Sequence, residues 1–440
     1  MNRAPYLATT AILDFAFAGH VLPVSVRADA LHFLSDTLAV GAAGAVSSEA
    51  KQLLCTIRGW GAAKEARIIG CEERLPASSA AFINGFAIHC LEWDAVHEPA
   101  VVHALSVVSA ALLAASDRMG GSDQDAFLNA LAVGVDIASG IGLSATGPMR
   151  FFRPATAGII GAALAVARLQ GLERSKYGDV LGLAYSFTSG TMQAHVEASI
   201  ALPLQIANAA RSALNAVDLA IVGMDGPHDA LEGPFGYSAL IEPLDLTRYT
   251  GKIGQVWQIG RVSIKPFPSG RASHGALGAI SNLLADGGVD AASVTGATLH
   301  APPLIQRLVG RPYKQDMTPA YARLCFPFLL PLMLRDGHID PRCFDVAGMA
   351  DPALSSLAEK VEVVLDDNPD SNALGPQRLT VNLSDGSRIE HVINENLGSP
   401  AAPMLDTQSA DKYELCRVLA GHACDRRIFD DPLSYTTEPL

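Results

Sequence analysis

The sequence predicts a mainly α protein in which a large all-helical domain carries a smaller α/β (α+β) lid domain. Three observations point there. From Ala28 to about residue 225, long Ala-, Leu- and Gly-rich segments show helical spacing, as in Leu31, Leu34 and Leu38 or Leu128, Leu131 and Val135. Near Gly260 the character changes, and short runs alternate apolar and polar residues with period two. At 440 residues the chain exceeds the size at which one hydrophobic core stops growing, so two domains are expected. The expected division is 1–258 with 400–440 for the helical domain and 259–399 for the lid.

Element by element, residues 1–20 read as a first helix, because Asp14 interrupts the apolar run and no small-residue cleavage pattern follows. The apolar stretches 104–115 and 155–167 fall short of the roughly 18 consecutive apolar residues that span a bilayer, so buried helices are expected. The segment 155–172, ATAGIIGAALAVARLQGL, is apolar on nearly every face and should be central; Gly171 and the charged Glu173, Arg174 and Lys176 mark its end. Strands are expected at 259–267, 297–302 and 360–367. A hairpin is expected where RLTVNL and RIEHVI flank Asp385-Gly386. Helices should occupy 272–285 and 319–335, and a last helix at 408–422 should pack back on the first domain. The small residues throughout the first domain predict helices packed at close range.

With 49% hydrophobic and 18% charged residues, the composition is that of a soluble, cytoplasmic enzyme with no membrane partner. A net charge of −13 disfavours nucleic acid and requires any anionic substrate to be drawn by a local cluster of cations. Seven cysteines with no C-x-x-C pair predict reduced thiols instead of a disulfide framework or a zinc ribbon. Phosphate-loop, dinucleotide and serine-elbow motifs are absent.

Residues 89–103, HCLEWDAVHEPAVVH, place three histidines and three carboxylates between two apolar segments. Ionisable groups are costly to bury without partners, so this is the first candidate site. His89, Glu92 and His97 could meet if the helix from Ser79 ends near Trp93 and a loop carries Asp94 to His103. The alternative is a satisfied core His89 and a surface Glu92. No clean metal-ligand spacing is present, and no metal is expected. The second candidate is KPFPSGRASHGA, 265–276: Lys265 stands before a proline turn, and Arg271 and His274, three apart, share one face of the following helix start, a setting for an anion. Arg150, Arg153 and Thr156 precede another apolar helix; either a capping Thr with solvated arginines or a carboxylate contact fits them. His195 and Glu197 read as a partnered polar pair.

Taken in order, NGFAIHCLEWDAVHEPAVVH, RFFRPATAGIIGAALAVARLQGL, SGTMQAHVEAS with LQIANAAR, LEGPFG and KPFPSGRASHGA resemble the MmgE/PrpD family over roughly residues 10–400. The resemblance implies a homodimer with a cofactor-free site between the helical domain and the lid. It also implies dehydratase, decarboxylase or epimerase chemistry next to a carboxylate-activated carbon. That chemistry needs a base for a poorly acidic proton and cations for the charge that develops. On this reading Asp94 or His103 is the base and Lys265 the acid or charge stabiliser. Arg153, Arg271 and His274 anchor carboxylates, and Glu92, His97 and Thr156 contact a small di- or tricarboxylate. Dehydration is the first expectation and epimerisation the second. The chain departs from the family pattern at Ala95, at His103-Ala104-Leu105, at Phe152 or Arg153 where a histidine is usual, and at Leu202 where a lysine is usual. Three consequences are open: a less charged substrate, a different reaction, or a binding role without catalysis.

Overall fold

The computed structural model describes residues 7–370 and 372–439. Residues 7–250 form a helical assembly whose centre is the helix Arg153–Leu169, flanked by Ala104–Arg118, Gln124–Leu143 and Ala201–Ile221. Small residues set the spacing. A Cβ placed on Gly161 would stand 2.3 Å from the Gly134 carbonyl oxygen, so these two helices touch backbone to backbone and only glycine fits. The helix Gln124–Leu143 is long and apolar enough to cross a bilayer, a property the sequence reading did not assign to it, yet it is enclosed by its neighbours. The expected first helix runs Leu7–Phe17; residues 1–6 of that expectation lie outside the described residues.

The second lobe is built on a four-stranded sheet in the order Val361–Leu365, Val294–Ala301, Gln377–Leu383, Arg388–Ile393. The first pair is parallel and the others antiparallel. Alternation aims Ala297, Leu299, Leu379 and Val381 at a core shared with the helices His274–Ala285 and Phe326–Asp336. The hairpin closes over Ser384–Ser387, where its Asp-Gly step predicts it. Two expectations are corrected here: the helix expected over 319–335 is broken into Pro319–Ala322 and Phe326–Asp336, and the first expected strand does not form. Instead of a strand at 259–267, Gln258–Arg261 forms a 3₁₀ turn and the extended remainder makes a single bridge, Ser263 to Val96. The period-two pattern reflects a chain squeezed between the lobes, with too little room for a strand partner along its length.

The C-terminal helix Asp406–Ala420 lies on the helix Val24–Ala45. Lys412 extends from it, buried, to Asp36 (2.5 Å) and to the Trp93 carbonyl (3.3 Å), so the chain's end braces the loop that carries the acidic and imidazole groups.

Candidate active site

The helix Ala77–His89 ends one residue before a turn in which Glu92 adopts φ 54°. A left-handed backbone at a non-glycine residue costs on the order of 1–2 kcal/mol and persists only where its surroundings fix it. Here it directs the Glu92 carbonyl at the Lys265 ammonium, 2.9 Å away, with the Glu92 carboxylate at 3.3 Å. The Trp93 indole N–H donates to the Pro266 carbonyl at 3.3 Å, tying the loop to the strap from the other lobe.

Asp94, with no exposed surface, gathers the remaining groups. Its Oδ2 accepts from His89 Nδ1 and His103 Nδ1, both at 2.9 Å, and from the Ser106 hydroxyl. Its Oδ1 is 4.0 Å from Lys265 Nζ. Burial opposes the carboxylate charge, but the two imidazoles outweigh it and hold Asp94 well below the usual carboxylate range. The imidazoles diverge. Burial disfavours the charged form of each, but Asp94 and Glu92 together raise His89 above its ordinary value. For His103 burial prevails over Asp94, aided by Lys265, and the value falls. A proton on His103 Nδ1 donated to Asp94 leaves Nε2 as a free base, the arrangement in which a buried carboxylate fixes tautomer and ring orientation. Glu92 is likewise lowered: burial works against its charge, and Lys265 and His89 overcome it.

His89, Glu92, His103, Lys265 and Arg271 line one inter-lobe cavity. Arg271 lies in the lid lobe, where its Nη2 donates to Glu98 at 2.6 Å and its Nη1 to the Leu397 carbonyl at 2.6 Å. The structure thus brings together Glu92, Asp94, His103, Lys265 and Arg271 from segments that are 173 residues apart at the Lys265–Glu92 pair.

Four candidates are placed elsewhere. The Arg153 guanidinium is bound to Glu242 through Nε (2.8 Å) and Nη2, and to the Ala100 carbonyl (2.8 Å), so it anchors protein and does not face the cavity. Thr156 shares a buried hydrogen bond with the Tyr237 hydroxyl at 2.8 Å. His97 pairs with Gln258 (3.2 Å) and accepts from the Ala100 N–H (3.2 Å); burial pushes it down to about 4, a neutral ring inside the loop. His274 sits behind Arg271, its Nδ1 3.3 Å from the guanidinium and its Nε2 3.0 Å from Ser269, a support for the arginine instead of a ligand contact. Replacing Arg153 with Met should cost about 3–5 kcal/mol in urea denaturation, because Glu242 is left buried and unpaired. Adding Glu242→Leu should recover most of it, whereas a stable single variant would show that the pair is solvated.

Sequence reasoning left His89 undecided and passed over Ser106, although Ser106 stands one helical turn after His103 and could have been found by that spacing. It also read His195 with Glu197. Instead Glu197 is exposed and bonds Gln193, while His195 is on the cavity wall, held by burial and by Arg311 at about 4. His89, Asp94 and His103 offer ligand atoms within 4.8 Å of one another, close enough to share an ion. The Lys265 ammonium beside Asp94 opposes a divalent cation there, although Asp94 Oδ1 and His89 Nε2 have no hydrogen-bond partner among the described residues.

Comparison with known proteins gives the lineage. The MmgE/PrpD N-terminal domain matches residues 16–246 and the MmgE/PrpD C-terminal domain residues 267–428. Human cis-aconitate decarboxylase is 27% identical over 360 residues, covering 77% of this chain and 72% of that protein. The cis-aconitate decarboxylase-like protein oryM of Aspergillus oryzae is 25% identical over 448 residues, covering 94% and 91%. Cis-aconitate decarboxylase of Aspergillus terreus is 25% identical over 391 residues, covering 82% and 78%. The chain belongs to the MmgE/PrpD family.

Proposed function

We propose that the protein is a metal- and cofactor-independent lyase that removes a proton next to the carboxylate of a small organic acid, with dehydration as the leading reaction. The observation that carries this reading is the placement of His103, held by Asp94 on the wall of a cavity that the Lys265 ammonium also lines. In the dehydration step His103 Nε2 takes the C–H proton and the electron pair is held on the carbon and its carboxylate. It forms the C=C bond as the C–O bond breaks, and the hydroxyl leaves as water with a proton from Lys265. Arg271 and Lys265 stabilise the charge that builds on the substrate carboxylate in the transition state.

Decarboxylation is the second reading, favoured by the names of the relatives. There the bond to a carboxylate breaks, carbon dioxide leaves, and an acid of the site returns a proton to the carbanion. Incubating the purified protein with hydroxy and unsaturated acids separates the two. Water loss with an unsaturated product supports the first, carbon dioxide release supports the second, and neither product in a folded preparation overturns both. Activity that survives exhaustive chelation is expected; activity restored only by a divalent ion would establish a metal enzyme on His89, Asp94 and His103.

The pH dependence follows from His103. Because burial lowers its value, the base is free at neutrality, and the acid limb of kcat/KM should be centred below the ordinary imidazole value of about 6.5. An acid limb centred above 7 would exclude a depressed imidazole base. The homodimer is part of the same proposal: light scattering should give twice the 46.1 kDa of one chain, and a monomeric active species would remove it.

A further inference from the structure

We infer that the substrate carries fewer than three carboxylates and an aliphatic arm, which packs on an apolar wall containing Leu202. This rests on the carboxylate chemistry proposed above and narrows it. Every cation lining the cavity already has a protein counter-charge. Lys265 is paired with Glu92, Arg271 with Glu98 at 2.6 Å, and His89 with Asp94 at 2.9 Å. His195, also on the wall, is neutral near pH 7. Lys265 and Arg271, even with His89 protonated, do not outnumber the carboxylates of Glu92, Glu98 and Asp94, so these pairs leave no net positive charge to receive a trianion. Two further guanidiniums lie near Glu92, but they are turned to backbone: Arg311 to the His195 carbonyl at 3.0 Å and Arg323 to the Cys90 carbonyl at 3.1 Å.

Each has one buried nitrogen without a hydrogen-bond partner among the described residues, as does Arg271 at its Nε on the wall itself, and these few donors are what one or two substrate carboxylates could use. A third would enter a low-dielectric space uncompensated, a strongly unfavourable transfer. The rest of the wall is apolar: Val101, Met149, Phe152, Met192, Leu202 and Leu308. Leu202 is fixed there by its place in the first turn of the helix Ala201–Ile221, beside Pro203. An apolar arm displaces water from these side chains, whereas a carboxylate placed on them finds no donor.

Calorimetric titration of the full-length protein with non-reacting probes tests this. Butylsuccinate, a dicarboxylate with a four-carbon arm, is expected to bind at least about tenfold more tightly than propane-1,2,3-tricarboxylate. In the series methyl-, propyl-, butylsuccinate the wild-type affinity should rise with each added methylene. Leu202→Lys should weaken butylsuccinate about tenfold and strengthen the tricarboxylate. Equal or tighter binding of the tricarboxylate by the wild type, or an affinity flat across the alkyl series, overturns the inference without needing the variant to fold. If the tricarboxylate is preferred and also exchanges a C–H proton with solvent, the lyase reading stands and only the substrate class is wrong. If butylsuccinate is preferred but no acid exchanges a proton, the pocket assignment stands and the chemistry fails.

Discussion

Replacing Lys265 with Met is expected to lower kcat by about 10²–10⁴-fold and, separately, to cost about 3–5 kcal/mol of stability. The two losses have different origins. Lys265 has no solvent exposure, and its ammonium is what compensates the buried Glu92 carboxylate and the strained Glu92 carbonyl. Removing it leaves that carboxylate in a low-dielectric site with only His89, 3.6 Å away, to offset its charge. The double variant Lys265→Met with Glu92→Gln removes the stranded charge and should regain most of the stability as read by urea denaturation. It should not regain turnover, because the proton donor is still missing. If the stable double variant turned over within fivefold of wild type, Lys265 would be a structural cation and nothing more.

His103→Gln should lower kcat by about 10²–10⁴-fold with a stability change within about 2 kcal/mol. Glutamine can still donate an N–H to Asp94, and Asp94 keeps His89 and the Ser106 hydroxyl in any case. What is lost is the imidazole Nε2, the one group in the cluster that is neutral, oriented and on the cavity wall. The acid limb of the pH profile should vanish from the residual activity. A His103→Gln enzyme that kept both its rate and that limb would assign the base elsewhere, with His195 the next group on the wall.

The acidic-imidazole loop and the lysine before the proline turn could be read from the chain because charge in so apolar a sequence requires compensation, and two such clusters compensate each other. The helical lobe was legible for a similar reason: small residues at helical spacing have one use, close packing, as Gly134 and Gly161 show. Arg153 was not. A basic residue before an apolar helix looks the same whether its partner is a ligand or Glu242, 89 positions away, and nothing local distinguishes them. His97 is the same case, its partner Gln258 lying 161 residues on. The expected strand at 259–267 had the right alternation but no sheet to join, since the lobe interface offers it only isolated partners, Val96 for Ser263 and the Gly398 carbonyl for the Ile264 N–H. His195 was hidden by Glu197, an apparent partner two residues along that in fact points to solvent.

Solvent deuterium uptake reports most directly on the central claim, that Asp94, His103 and Lys265 converge to move a proton at a carbon beside a carboxylate. Mass spectrometry or proton NMR of small carboxylic acids incubated with the enzyme in heavy water is expected to show exchange at that carbon with wild type. The exchange should fall by at least about 10²-fold with His103→Gln. Undiminished exchange in the folded His103→Gln variant would contradict the account.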